Sequence, residues 1–125
     1  MQSVASRLEA VAGSLPQHVS LVAVSKFHPA EAIRQAYDAG QRIFAESRVQ
    51  EIVAKIPQLP ADIRWHFIGH LQTNKVRALV GTRRIDLIES VDSAKLLDLI
   101  DRAAADEGIV QKVLIQLHVA KEETK

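Results

Sequence analysis

The chain contains no cysteine, which removes disulfides, thiol nucleophiles and cysteine-based zinc sites together. Nor does charge of one sign dominate. Sixteen basic and fifteen acidic side chains leave a formal charge of +1, so no strong field drives binding to nucleic acid or an anionic membrane. No apolar run approaches the ~20 residues that span a bilayer. The opening segment from Met1 lacks a cationic stretch followed by the apolar core of a signal peptide. These absences point to a cytoplasmic protein. Low-complexity segments and domain linkers are missing too, and 125 residues make one domain or part of a larger one.

What is present alternates between two hydrophobic periods. Val4, Leu8, Val11 and Leu15 mark an amphipathic helix, with Ser3 as its N-cap. Strands are predicted over 21–25, 42–46, 64–69, 85–90 and 112–119. Between them lie four helical stripes. The first carries Ile33, Ala36 and Tyr37 and stops at Gly40. The second carries Val49, Ile52, Val53 and Ile56 behind a capping box opened by Ser47. The third, short, runs over 73–80 to Gly81. The fourth carries Leu96, Leu97, Ile100, Ala103 and Ala104 from an Asp92 cap to Gly108.

A helix, four β-α units and a final strand with short linkers suit parallel strands and right-handed crossovers. Two architectures fit, a doubly wound sheet and a (β/α)8 barrel. A barrel takes about 250 residues, so this chain supplies about half and exposes apolar sheet edges. Length alone favours the open sheet.

Lys26 closes the first strand just before a helix opens at Pro29. That edge of a β-α sheet is where ligands bind. A lysine there is either a solvated loop residue or the amine of a Schiff base with an aldehyde. Only the uncharged amine attacks a carbonyl, and burial at a strand end would disfavour the charge.

The segment from Trp65 through His66, Gly69 and His70 to Lys75 is dense in functional residue types. His66 and His70 lie roughly 13 Å apart along a strand. A shared metal would need a sharp turn at Gly69, no third ligand is evident, and no zinc site is expected. The same segment lacks the second glycine and the Ser/Thr of a phosphate loop. Glu46, Ser90 and His118 end other predicted strands, so polar groups gather at one rim of one sheet.

Three blocks carry a resemblance. They are Leu21-Val22-Ala23-Val24-Ser25-Lys26, then Phe44-Ala45-Glu46 with Val49-Gln50-Glu51, and the stretch Trp65-His66-Phe67-Ile68-Gly69-His70-Leu71-Gln72-Thr73-Asn74-Lys75. Together they closely resemble the pyridoxal-phosphate homeostasis proteins, the YggS/PROSC family. Ser90-Val91-Asp92-Ser93 and Glu122-Glu123-Thr124-Lys125 fit its later blocks, so the match runs from about Leu21 to the last residue.

The resemblance implies a (β/α)8 TIM barrel of the alanine racemase N-terminal-domain type. Residues 1–125 would then be the N-terminal part of a single cofactor-binding barrel domain: an extra helix plus about five strands and four helices. It implies pyridoxal 5′-phosphate held on a lysine, with Lys26 at the matching position and Ser47, His66 and Ser90 shaping the pocket. The family is thought to buffer the cofactor and pass it on, which makes pyridoxal-phosphate-dependent apoenzymes the candidate recipients. It implies no metal, a monomer or weak dimer, and no catalytic residue. Some positions depart from the family pattern. Ala45 and Ser47-Arg48 replace its usual glycine and asparagine-tyrosine, His118 replaces an asparagine, and His28 replaces a second lysine. The family continues past the position of Lys125 with strands that carry the phosphate-binding groups and an arginine near the pyridine nitrogen. These 125 residues are therefore expected to be a portion of a longer protein.

Two enzyme readings compete with the carrier. An amino-acid racemase needs a second acid/base group, and Tyr37, the only tyrosine, sits on a helical stripe that reads as core. A lysine-dependent aldolase would use Lys26 without a cofactor.

Overall fold

The computed structural model describes residues 3–117. A first helix, α1 (Val4–Gly13), is capped by Ser3, whose hydroxyl accepts from the Ser6 N–H. The remainder is a repeated strand-helix unit. Strands β1 (Ala23–Val24), β2 (Ile43–Glu46), β3 (Arg64–Phe67), β4 (Ile85–Val91) and β5 (Val113–Ile115) alternate with α2 (Ala30–Asp38), α3 (Val49–Lys55), α4 (Val76–Val80) and α5 (Ala94–Glu107). Every predicted element that falls on described residues is present, and β1 and β5 are shorter than their apolar runs. A 3-10 turn at Thr73–Lys75 leads into α4.

Two expected caps are replaced by neighbours. Ser93, not Asp92, begins α5 and accepts from the Leu96 N–H. Ser47 caps nothing: Arg48 occupies the N-cap of α3 and makes no side-chain cap bond. Both helices start one residue later than the acidic or hydroxyl signal suggested.

The sheet decides between the two architectures. All four pairings are parallel, and the spatial order β1-β2-β3-β4-β5 is the chain order. Right-handed crossovers that always step to the same side leave every helix on one face. A doubly wound sheet must reverse its strand order to cover the second face. No reversal occurs here, so the length-based preference for the open doubly wound sheet is corrected: this is consecutive barrel winding.

Register assigns the faces. Ala23, Phe44, Trp65 and Ile85 are successive partners, and Phe44, Trp65 and Ile85 are buried. They meet Ile33 and Ile52 of the helices in one core. The next rung, Val24, Ala45, His66 and Leu87, lies on the opposite face. In a barrel that face is the interior. Here Val24 is 52% exposed at one edge and Ile115 is 59% exposed at the other. Among the described residues both edge strands are unpaired on their outer sides.

Candidate functional site

Polar residues collect at the carboxyl ends of the strands, and they form two layers. The deeper layer lies between sheet and helices. Ser25 follows β1, Glu46 ends β2 and Lys55 ends α3; all three are buried. Lys55 Nζ lies 2.9 Å from Glu46 Oε2 and donates to the Ser25 carbonyl at 3.2 Å. The Ser25 hydroxyl donates to the same Glu46 oxygen. Glu51, one turn before Lys55 on α3, brings Oε2 to 3.5 Å from that ammonium and accepts the Phe27 N–H at 3.2 Å. Burial pushes the Glu46 carboxyl above the usual carboxylate range, against the opposing pull of Ser25 and Lys55. The bond from the Phe27 amide holds the Glu51 carboxyl below it.

Sequence reasoning missed Lys55, Glu51 and Ser25. A signal existed. Lys55 falls three residues after Ile52 on the buried stripe of α3, and Glu46 shares its strand face with Phe44. A cation and an anion at two core-facing positions of neighbouring elements imply a buried pair.

The upper layer faces solvent. Lys26 is at the tip of β1 as expected, but it is exposed, and the expected burial is corrected. β1 is an edge strand here, and no strand pairs with its outer side among the described residues. No ion pair or side-chain hydrogen bond engages the Lys26 ammonium among those residues. By alternation from Val24 it belongs to the helix-free face.

Ser47 sits at the tip of β2, half-buried. The loop after β3 crosses directly over it at Gly69, where an added Cβ would come within 2.8 Å of the Ser47 carbonyl carbon. Beside this crossing opens a cavity of about 400 Å³ lined by Ser47, Arg48, His70, Gln72 and Lys75, with no acidic side chain in its wall. Lys26, His66 and Ser90 do not line it.

His66 lies on the helix-free face of β3, its side chain 12% exposed, with Nε2 3.3 Å from Asp86 Oδ2 on β4. Arg64 shares that carboxylate at 3.1 Å. Ser90 lies near the end of β4 at an irregularity in its pairing with β5, with a φ of 64°. His118 lies outside the described residues. Lys26 and Ser47 thus follow the ends of β1 and β2, His66 and Ser90 lie on β3 and β4, and of the four only Ser47 lines the cavity.

Tyr37 is at the other end of the sheet. Its hydroxyl donates to Asp62, in the loop before β3, and the Arg42 guanidinium stacks 3.8 Å over its ring. The Asp62 bond raises the Tyr37 hydroxyl above its ordinary value. A four-residue strand spans roughly 13 Å, which separates Tyr37 from the lysine rim.

A singly wound parallel sheet with its helices outside and a lysine at the tip of its first strand defines a class, the β/α barrels that present an amine at the mouth. No protein-family model matches the chain. Alanine racemase from E. faecalis superposes with a TM-score of 0.67 at 14% identity, over 79% of this chain and 27% of that one, a likeness of fold alone. PipY of Synechococcus elongatus, solved with pyridoxal phosphate bound, superposes with a TM-score of 0.85 at 46% identity, over 94% of this chain and 56% of that one. The pyridoxal phosphate homeostasis protein of Schizosaccharomyces pombe is 37% identical over 130 residues, which is 100% of this chain and 55% of that protein. The chain belongs to the pyridoxal phosphate homeostasis protein family. It spans about half the length of the curated relatives it matches.

Proposed function

We propose that residues 1–125 form part of a single barrel domain that binds pyridoxal 5′-phosphate and serves as a reversible intracellular carrier of it. One observation carries the reading: the exposed, unengaged amine of Lys26 at the tip of β1, on the helix-free face, in a chain 46% identical to a protein solved with that cofactor. When bound, the cofactor supplies an aldehyde that condenses with an amine and releases water.

The residues present fit such a group. Lys26 offers an accessible nucleophile that no carboxylate ties down. Ser47 offers a hydroxyl at the neighbouring tip, beside a wall that carries the Arg48 and Lys75 cations and the His70 ring, which suits an anion. The Asp86 carboxylate orients the ring of His66 on the helix-free face. Ser90 completes the row on β4. Recipient apoenzymes, a cytoplasmic setting and a monomeric or weakly dimeric state belong to the same proposal. No described helix is long and apolar enough to cross a membrane.

The carrier reading makes the protein non-catalytic. Racemisation requires a second acid/base group facing the cofactor, and Tyr37 is engaged by Asp62 at the opposite end of the sheet. The test is borohydride reduction of the protein incubated with pyridoxal phosphate, followed by mass mapping. Modification concentrated on Lys26 is expected; modification spread over surface lysines sinks the reading. Racemase turnover above the free-cofactor background in the full protein would move the assignment to an enzyme.

A further inference from the structure

Lys26 is the second residue of a four-residue turn, Ser25 to His28, closed by the His28 N–H donating to the Ser25 carbonyl at 3.1 Å. The third residue, Phe27, has a φ of 65°. That is the left-handed region which a type II turn demands at this position and which glycine ordinarily fills. A bulky aromatic residue there is strained, and such strain persists only where the surroundings over-determine it. The surroundings do so on both sides of Lys26. Before it, the Ser25 carbonyl and hydroxyl are held by Lys55 and Glu46. After it, the Phe27 N–H is held by Glu51, and the Arg48 guanidinium lies 4.9 Å over the Phe27 ring. Lys26 itself is left out of every one of these bonds.

We infer that Glu46, Lys55 and Glu51 are positioning residues: a clamp of three ionisable side chains, Glu46 and Lys55 buried and Glu51 partly exposed, holds the strained turn and so sets the direction in which Lys26 presents its amine. The inference rests on the cofactor reading above, in which Lys26 is the attachment point. The three side chains come from β2 and α3, so the turn is braced by the next strand-helix pair beyond α2 and not by its own strand. None of the three touches the cofactor in this scheme. They act through the backbone of residues 25 and 27.

Positioning and mere structural support separate in the readout. In the full protein, time-resolved borohydride trapping with pyridoxal phosphate and mass mapping give the rate at Lys26 and its selectivity over exposed lysines such as Lys112. Lys55→Met is expected to slow trapping at Lys26 by about tenfold and to erase the selectivity while circular dichroism stays native, since small misplacement of a reacting group costs rate steeply. Lys55→Arg, which keeps the cation, should restore most of the loss. Glu51→Gln decides the matter if Lys55→Met does not fold. Its side chain is partly exposed and reaches the turn through the Phe27 amide, and a fall of a few-fold in the Lys26 rate is expected. Folded variants that label Lys26 at the wild-type rate and selectivity overturn the clamp and leave the cofactor reading standing. Wild-type protein that is not labelled at Lys26 overturns both.

Discussion

The chemistry proposed here concentrates in a single amine, and its substitution is the first test. Lys26→Ala removes an exposed side chain that makes no described bond, so the denaturation midpoint should stay within ~0.5 kcal/mol of wild type. Trapping of pyridoxal phosphate should fall to the background of the other lysines. A variant that remains labelled at one dominant site would place the attachment elsewhere. The buried pair behind it behaves oppositely. Lys55→Met strands Glu46, whose side chain is fully buried, and should cost about 3–5 kcal/mol. Glu46 also has a pH signature. Its raised value means that the folded protein keeps a proton which the unfolded chain has released above 4.5. Stability therefore falls as pH climbs from 4.5 toward the raised value. Glu51, held low chiefly by the Phe27 amide, contributes the opposite slope, present above 4.5 and lost in acid, and Glu46→Gln leaves that amide bond in place. Urea midpoints between about pH 4 and about pH 8 should show wild type losing ground to Glu46→Gln as pH rises. Parallel curves would mean that burial does not shift this carboxyl.

At the scale of elements, most of the fold could be read in advance because the signals are local. The stripes of α1, α2 and α5, the Ser3 cap and the Gly40 and Gly108 stops are set within one or two turns of helix, and those glycines have φ values of 110° and 69°. The errors are one-residue shifts at Ser47 and Asp92, where a neighbour satisfied the helix start. Strand order is not local, and length misled there; the resemblance carried by the Trp65–Lys75 block corrected it. Among the proposed site residues, Lys26 and Ser90 were singled out by their places at predicted strand ends, whereas Ser47 and His66 came with the resemblance. Lys55 and Glu51 were passed over, since their role depends on which face of α3 meets β2. Two substitutions probe the elements. Ser93→Ala removes the hydroxyl that accepts the Leu96 N–H and should cost ~1 kcal/mol in α5. Gly69→Ala forces a Cβ against the Ser47 backbone, which has no rotamer with which to yield. A loss of about 1–3 kcal/mol is expected, together with faster amide exchange at the tips of β2 and β3. An alanine variant as stable as wild type would show that the two tips are not locked together.

At the scale of the molecule, the sheet raises a problem that neither residue nor element solves. Parallel strands are stable when both faces and both edges are covered. Here one face is packed by α2 to α5, while the outer strands leave apolar groups in water: Val24 on β1, and Leu114, Ile115 and Leu117 at β5, each more than half exposed. Unpaired backbone groups along such edges recruit further strands. In the related proteins, which are nearly twice as long, there is chain enough to close the sheet. A polypeptide of these 125 residues expressed alone is therefore expected to self-associate through β5, the edge with the larger apolar display. Sedimentation velocity should show species heavier than the monomer, shifting with concentration. Ile115→Lys, which places a charge on that edge, should return it toward the monomer, whereas Val53→Lys on the outer face of α3 should not. A monomer at all concentrations, with native circular dichroism, would show that the five-stranded sheet tolerates its open edges and that half a barrel is a sufficient folding unit.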